Sequence, residues 1–342
     1  MKKKVVFILN PISGNGHKDT IPAIIESTIN KEVFDYECVF TEKAGHATEL
    51  AAKAKEEGAH IVVAVGGDGT VNEVGRALVH SNTALAIIPC GSGNGLARHL
   101  MLPLDVKAAI EIINQDEIHD LDYGVINGHT FFCTCGMGFD AFISMKFAES
   151  GKRGPITYVE NVLKEGLKYK PQTYELEDET GTQHFKAFLI SCANASQYGN
   201  NAYIAPHASM SDGLMDVIIM EPFGMLEAGQ VSFDMFNKTL DQNSKIKTFR
   251  CKKLHIHRTQ NGEIHYDGEP TMTGQDIDIH LEEKGIKVVV NPTANKELRK
   301  PNMLQTAFTQ FFNNVNEVRS NITQQGRKVE ALSKAIQRKL NL

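Results

Sequence analysis

The chain has 342 residues, 42% hydrophobic and 23% charged, a composition that supports about two packed domains and argues against a disordered or fibrous protein. Lys and Arg number 36 against 41 Asp and Glu, a net charge of -5, which excludes the basic field of a nucleic-acid packaging protein. The six cysteines are irregularly spaced; Cys133 and Cys135 have no second pair to complete a zinc site, so a disulfide scaffold and a zinc module are both disfavoured. No uncharged apolar stretch approaches the ~18 residues of a membrane-spanning helix. The apolar run after Met1-Lys2-Lys3-Lys4 stops at Leu9, short of the ~7–15 residues in a signal peptide. The expectation is a soluble, cytoplasmic protein.

In the first third, short β-branched runs alternate with helical patterns. Residues 4–9 (KVVFIL) predict a buried strand, followed by Asn10-Pro11-Ile12-Ser13-Gly14-Asn15-Gly16 and a helix over 20–30. A strand over 36–40 and an Ala/Lys/Glu-rich helix over 47–57 come next, then the apolar strand 61–65 (IVVAV). The loop Gly66-Gly67-Asp68-Gly69-Thr70 runs into a helix ending at Leu78, and a strand over 84–88 leads through Pro89 to Gly91-Ser92-Gly93-Asn94-Gly95. This alternation predicts an α/β domain with a doubly wound parallel sheet. Its three glycine loops fall at strand carboxyl ends, where such sheets bind ligands.

Beyond Asp122 the texture changes to short strands between turn residues, over 130–135, 173–176, 185–193, 215–220, 253–257, 276–281 and 286–290, with one helical stretch over 155–168. These predict a mostly antiparallel second domain, a sandwich or open barrel. The expected division is 1–123 (completed by 292–300), 124–291 and an amphipathic helical tail over 301–342. That tail holds six Lys and Arg against two Glu.

A glycine-rich loop between strand and helix lets backbone N–H groups approach phosphate oxygens, aided by the positive end of the helix dipole. One such loop is weak evidence, because tight turns also use glycine for steric reasons; three in one sheet point to a phosphate-bearing ligand. None is a Walker A loop, since Gly151-Lys152 is followed by Arg153. No G-x-G-x-x-G follows the first strand, so dinucleotide redox chemistry is disfavoured. Asp68 is an unusual acid among phosphate-facing amides. It either caps the helix that follows it, or coordinates Mg2+ or takes the proton of an attacking hydroxyl.

Together, Asn10-Pro11-Ile12-Ser13-Gly14, Gly66-Gly67-Asp68-Gly69-Thr70-Val71-Asn72-Glu73 and Gly91-Ser92-Gly93-Asn94-Gly95-Leu96-Ala97-Arg98 resemble the diacylglycerol kinase catalytic domain family, which includes sphingosine, ceramide and bacterial lipid kinases. Thr41 with Gly45-His46-Ala47, Asp122 with Gly124, Gly136 to Ala141, Asp212-Gly213 with Asp216-Val217, and Asp267-Gly268-Glu269 extend the resemblance over all but the tail. It implies ATP-dependent phosphorylation of a lipid hydroxyl, hence a role in lipid metabolism. The site would lie in the cleft between a nucleotide domain (1–123) and a β-rich lipid domain (124–291). By position, Asn10, Pro11, Ile12, Ser13, Gly14, Thr41, Gly66, Gly67, Asp68, Gly69, Thr70, Val71, Asn72 and Ser92 would line the ATP site, with Glu73 and Asn94 close by. Glu269 and Asp68 are both candidates for the proton acceptor, so their convergence is the central expectation. Asp140 matches a substrate-facing carboxylate. Asp212, with the carbonyls of Ser209 and Leu214, matches a structural Mg2+ site, although Ser209-Met210-Ser211-Asp212 lacks the second adjacent acid of the bacterial pattern.

The Gly-Ser-Gly-Asn loop is closer to the sphingosine kinase form, but it belongs to the nucleotide side, and the acceptor stays open between diacylglycerol and sphingoid types. His46 could touch phosphate or stabilise a turn. His255 and His257 alternate on a strand without a third metal ligand. The apolar run 131–145 reads as core, part of which could line a lipid slot. The tail could pack on its own domain, pair in a homodimer or lie on a membrane surface, so the partners implied are ATP, a lipid at a membrane and no nucleic acid. The rival readings are a NAD kinase-like enzyme, which shares Gly-Gly-Asp-Gly-Thr, and an inactive nucleotide or lipid sensor.

Overall fold

The computed structural model describes residues 2–12, 20–150, 166 and 169–294. The helix expected over 155–168, the tail over 301–342, Ser13, Gly14 and most of 292–300 lie outside the described residues.

Strands β1 (Lys3–Leu9), β2 (Phe34–Phe40), β3 (Ile61–Gly66) and β4 (Ala84–Pro89) form a parallel sheet in the order β2-β1-β3-β4. β3 and β4 are buried along their whole length, as their unbroken apolar runs require of central parallel strands. Helices α1 (Ile21–Thr28), α2 (His46–Glu56), α3 (Asp68–Leu78), α4 (Gly95–His99) and α5 (Val106–Ile113) complete the layers. α1 packs with α5 on one face and α2 with α3 on the other. The strand order reverses between β1 and β3, so the ligand crevice of this topology opens above Asn10 and the Gly66–Thr70 loop.

The remaining strands are β5 (Ile118–Ile126), β6 (His129–Phe131), β7 (Thr134–Gly138), β8 (Gln172–Asp178), β9 (Gly181–Ala187), β10 (Leu189–Ala193), β11 (Met215–Met220), β12 (Ile246–Cys251), β13 (Lys253–Arg258), β14 (Gly262–Tyr266), β15 (Glu269–Thr273) and β16 (Asp276–Val289). Helices α6 (Phe139–Ser150) and α7 (Met225–Asn237) are interspersed. β12-β11-β10-β7-β14-β15 make an antiparallel sheet. It packs face to face on the antiparallel part of the first sheet: Met137, Ile190, Val217 and Ile264 meet Leu176, Ile256, Ile277 and Ile279 in one core. The expected parallel sheet and antiparallel sandwich are both present.

The two halves share a strand. β16 pairs antiparallel with β13 and β5, then parallel with β4 at Val288 and Leu85, so the first sheet is continuous through both. The strands expected over 276–281 and 286–290 are this one element, interrupted by a register shift between Glu282 and Ile286. There Lys284 has φ 51°, and a Cβ on Gly285 would lie 2.4 Å from the Tyr123 ring. The strand expected over 130–135 is divided: the chain leaves the first sheet after Phe131 and enters the second at Thr134. Through this crossing the second sheet meets α3, where Asn72 donates to the Thr130 carbonyl and to Asp267.

Candidate active site

The second and third glycine loops pack on one another. A Cβ on Gly91 would lie 2.5 Å from the Gly67 Cα, and one on Gly93 would lie 2.8 Å from Asp68 Oδ2. Close approach to the Gly67 backbone at Gly91, and to the Asp68 carboxylate at Gly93, is therefore one physical reason for glycine at these positions. Asn10 ties the first loop to the second: its Oδ1 accepts the Ile12 N–H at 3.0 Å and its Nδ2 donates to Thr70 Oγ1 at 3.0 Å. Thr41 is buried, its N–H on the Leu9 carbonyl, while Pro11, Ile12 and Ser92 are exposed at the rim.

Asp68 opens α3, yet it caps a different helix. Its carboxylate accepts the N–H groups of Asn94 (2.8 Å) and Gly95 (2.6 Å), at the start of α4. Burial pushes its carboxyl above the usual range against those two amides, and the charge of Asp267 adds to the rise. Asn94, at φ 53°, closes its own loop through both side-chain atoms on Gly91. Glu73 accepts the N–H groups of Gly45 (2.9 Å) and Ala47 (3.1 Å) at the start of α2. Asn72 is 1% exposed and donates to the Thr130 carbonyl and to Asp267. Asp68, Asn72, Glu73 and Asn94 thus use their polar atoms to hold the loops in place. α3 itself begins on Gly67, which has no side chain to cap it.

The turn between β14 and β15 meets α3 from the second sheet. Asp267, at φ 48°, accepts the N–H groups of Phe132 (2.8 Å), Cys133 (2.8 Å) and Thr134 (3.1 Å) and the Asn72 amide (2.9 Å). With four donors on one carboxylate, the turn is anchored to the β6–β7 crossing. Two residues on, Glu269 is half-buried, its Oε1 3.7 Å from where a Cβ on Gly69 would stand. Glu269 and the Asp68 loop therefore converge. Burial pushes the Glu269 carboxyl up; Arg76 opposes this, Glu73 and Asp267 add to it, and a hydrogen bond from Tyr266 lowers it. Sequence reasoning quoted Asp267 only as part of a motif and missed Arg76. Its place on α3 one turn beyond Glu73 was the available signal for Arg76.

Asp140, in the first turn of α6, bonds Tyr198 Oη at 3.1 Å and His265 Nε2 at 3.0 Å. Tyr198 lies against the third glycine loop, its carbonyl 3.8 Å from a Cβ on Gly93. The cavity lined by His80, Ser81, Asn82, Asp120, Lys284 and Lys287 is at the other end of α3 and holds none of these residues.

The set Asp212, Ser209 and Leu214 holds a single carboxylate, and both of its oxygens are engaged: one pairs with Arg250, and Oδ1 accepts the Leu214 N–H at 3.3 Å. Among the described residues no group of three or more His, Cys, Asp or Glu is placed to hold a metal ion, His255 and His257 included. Those two histidines face Asp278 and Asp276. His46 Nδ1 accepts the Glu42 N–H at 3.1 Å, a turn contact. All six cysteines are free thiols. No helix among the described residues is long and apolar enough to cross a membrane.

Residues 4–126 match the family model described as the diacylglycerol kinase catalytic domain, and residues 133–279 match the one described as the YegS C-terminal NAD kinase beta sandwich-like domain. A diacylglycerol kinase of Staphylococcus saprophyticus is 28% identical over 280 residues, covering 79% of this chain and 90% of its own length. One from Staphylococcus aureus is 26% identical over 275 residues, covering 79% and 87%. The crystal structure of a diacylglycerol kinase from Bacillus anthracis superposes with a TM-score of 0.68 at 21% identity, over 86% of this chain and 98% of the other. That likeness is one of fold.

Proposed function

We propose, for a chain that belongs to the diacylglycerol kinase catalytic-domain family and is at the family level a lipid kinase, that it moves the γ-phosphate of ATP to a lipid hydroxyl with Glu269 as proton acceptor. The observation that carries this reading is the convergence of Glu269 on Gly69, at the uncapped start of α3. The starts of α2 and α4 are already held by Glu73 and Asp68. α3 therefore offers its N-terminal amides and dipole to a phosphate.

In this reading MgATP is a substrate that lies over the carboxyl ends of β1, β3 and β4. Ile12 and Ser92 are at its rim, and the loops from Asn10 and from Gly66 to Thr70 lie beneath its phosphates. The acceptor hydroxyl oxygen attacks the γ-phosphorus, the bond to the β–γ bridging oxygen breaks, and ADP leaves. The hydroxyl proton passes to the Glu269 carboxylate. Phosphoryl transfer asks mainly for positioning and charge stabilisation, and a half-buried carboxylate with a raised pKa is a better proton acceptor than a solvated one. Asp68 is the weaker candidate because both of its oxygens already accept backbone N–H groups. Asp140, held by Tyr198 and His265, faces the acceptor.

The relatives' name makes diacylglycerol the first acceptor to try, with a sphingoid base second. The test is transfer of labelled phosphate from ATP to diacylglycerol, monoacylglycerol and sphinganine in mixed micelles, with NAD as a fourth acceptor. Label in one lipid supports the proposal. Label only in NAD, or ATP binding without transfer to any acceptor, refutes it.

A further inference from the structure

The loop 209–214 and β11 bring two carboxylates together. Asp216 stands directly across the β11–β12 ladder from Arg250. Arg250 Nη2 pairs with Asp212 Oδ2, and its Nε lies 3.4 Å from Asp216 Oδ2. That Asp216 oxygen is buried and has no hydrogen-bond partner, so the guanidinium is the cation it faces. Two converging carboxylates need positive charge between them, and a guanidinium supplies it permanently in a planar fork that reaches both.

Both oxygens of Asp212 are engaged, one by the guanidinium and Oδ1 by the Leu214 N–H at 3.3 Å, and the Gly213 N–H ties the loop to Asp122 Oδ2 at 2.9 Å. Lys252, just past the end of β12, pairs with Glu283. A magnesium ion needs about six oxygens in near-octahedral array. What this loop presents instead is one carboxylate with an oxygen on its own backbone and a guanidinium on the other.

We infer that Arg250 is the built-in cation of this loop, standing where the family resemblance implies a divalent ion, so that the second sheet holds its fold without divalent metal. The consequence is independent of which lipid, if any, the protein phosphorylates. Its test is thermal unfolding of the purified full chain in EDTA, in about 10 mM MgCl2 or CaCl2, and in KCl of matched ionic strength.

The wild type is expected to melt within about 1 °C in all of these, and Arg250→Gln about 1–4 °C lower, a modest shift because the pair is partly solvated. Asp212→Asn should cost a similar amount. The double variant should fall little further than either single one, because both remove the same contact. Where Arg250→Gln does not fold, Arg250→Lys keeps the charge without the fork and is expected to melt between it and the wild type. A wild-type gain of several degrees in Mg2+ or Ca2+ beyond KCl overturns the inference. So does an Arg250→Gln protein that melts with the wild type, or a pair of shifts that simply add.

Discussion

Replacing Asp68 with Ala removes the acceptor for two backbone donors, the N–H groups of Asn94 and Gly95 at 2.8 and 2.6 Å. A part-buried amide left without an acceptor costs ~1–2 kcal/mol, so the pair amounts to about 2–4 kcal/mol. Because the wild-type carboxylate is itself penalised by burial, the lower half of that range is the better expectation. For a chain of this length 1 kcal/mol moves Tm by roughly 2 °C, so Asp68→Ala should melt about 4–6 °C below the wild type. The loss concentrates where Gly91, Gly93 and Gly95 meet the α3 loop, so the KM for ATP should rise as well. The assay is differential scanning fluorimetry alongside ATP titration at saturating acceptor. A Tm within about 1 °C of the wild type, together with kcat reduced by ~10²-fold or more, would refute the reasoning. It would mean that Asp68 serves the reaction and not the junction of the loops.

Glu269→Gln is expected to behave in the opposite way, keeping Tm within about 1 °C while kcat falls by ~10²–10⁴-fold; steady-state kinetics with the accepted lipid checks it. Because burial raises the Glu269 pKa, the reactive carboxylate form is lost at a higher pH than for a solvated glutamate. The acid limb of kcat/KM should therefore sit above the ordinary carboxylate range, with activity falling as pH falls through it. A pH–rate profile reads this directly, and the limb should vanish from the residual activity of Glu269→Gln.

Much of the N-terminal half was legible because its signals are local. The apolar run 61–65 is short, β-branched and closed by glycines, which marks a buried strand, and a glycine cluster followed by a helical pattern marks a strand-to-helix turn. β14, β15 and α7 were not anticipated. The two strands are five residues each and pair with one another across Asp267-Gly268, a local Asp-Gly hairpin signal read only as part of a motif; the pairing of β14 with β7 depends on a partner distant in sequence. α7 mixes Gly, Gln and Ser into its apolar pattern, which weakens its periodicity. The single strand expected over 130–135 shows the same limit. A run of β-formers carries no mark of where the chain passes from one sheet to the other, and here Phe132 and Cys133 make that passage with their N–H groups on Asp267.

By itself the sequence determined that a parallel α/β sheet carries glycine loops at its strand ends, that a β-rich half follows, and which acids were worth watching. Only the tertiary structure decided what those acids do. Asp68 reaches 27 residues along the chain to its amide, and Asn72 meets Asp267 across 195. A carboxylate's role depends on which donors lie within about 3 Å of it, and that is a property of packed surfaces, not of spacing along the chain. The same physics separates Glu269, turned toward Gly69, from Asp68 and Glu73, which are spent on helix starts. It also places a guanidinium between Asp212 and Asp216, where the motif alone implied a metal.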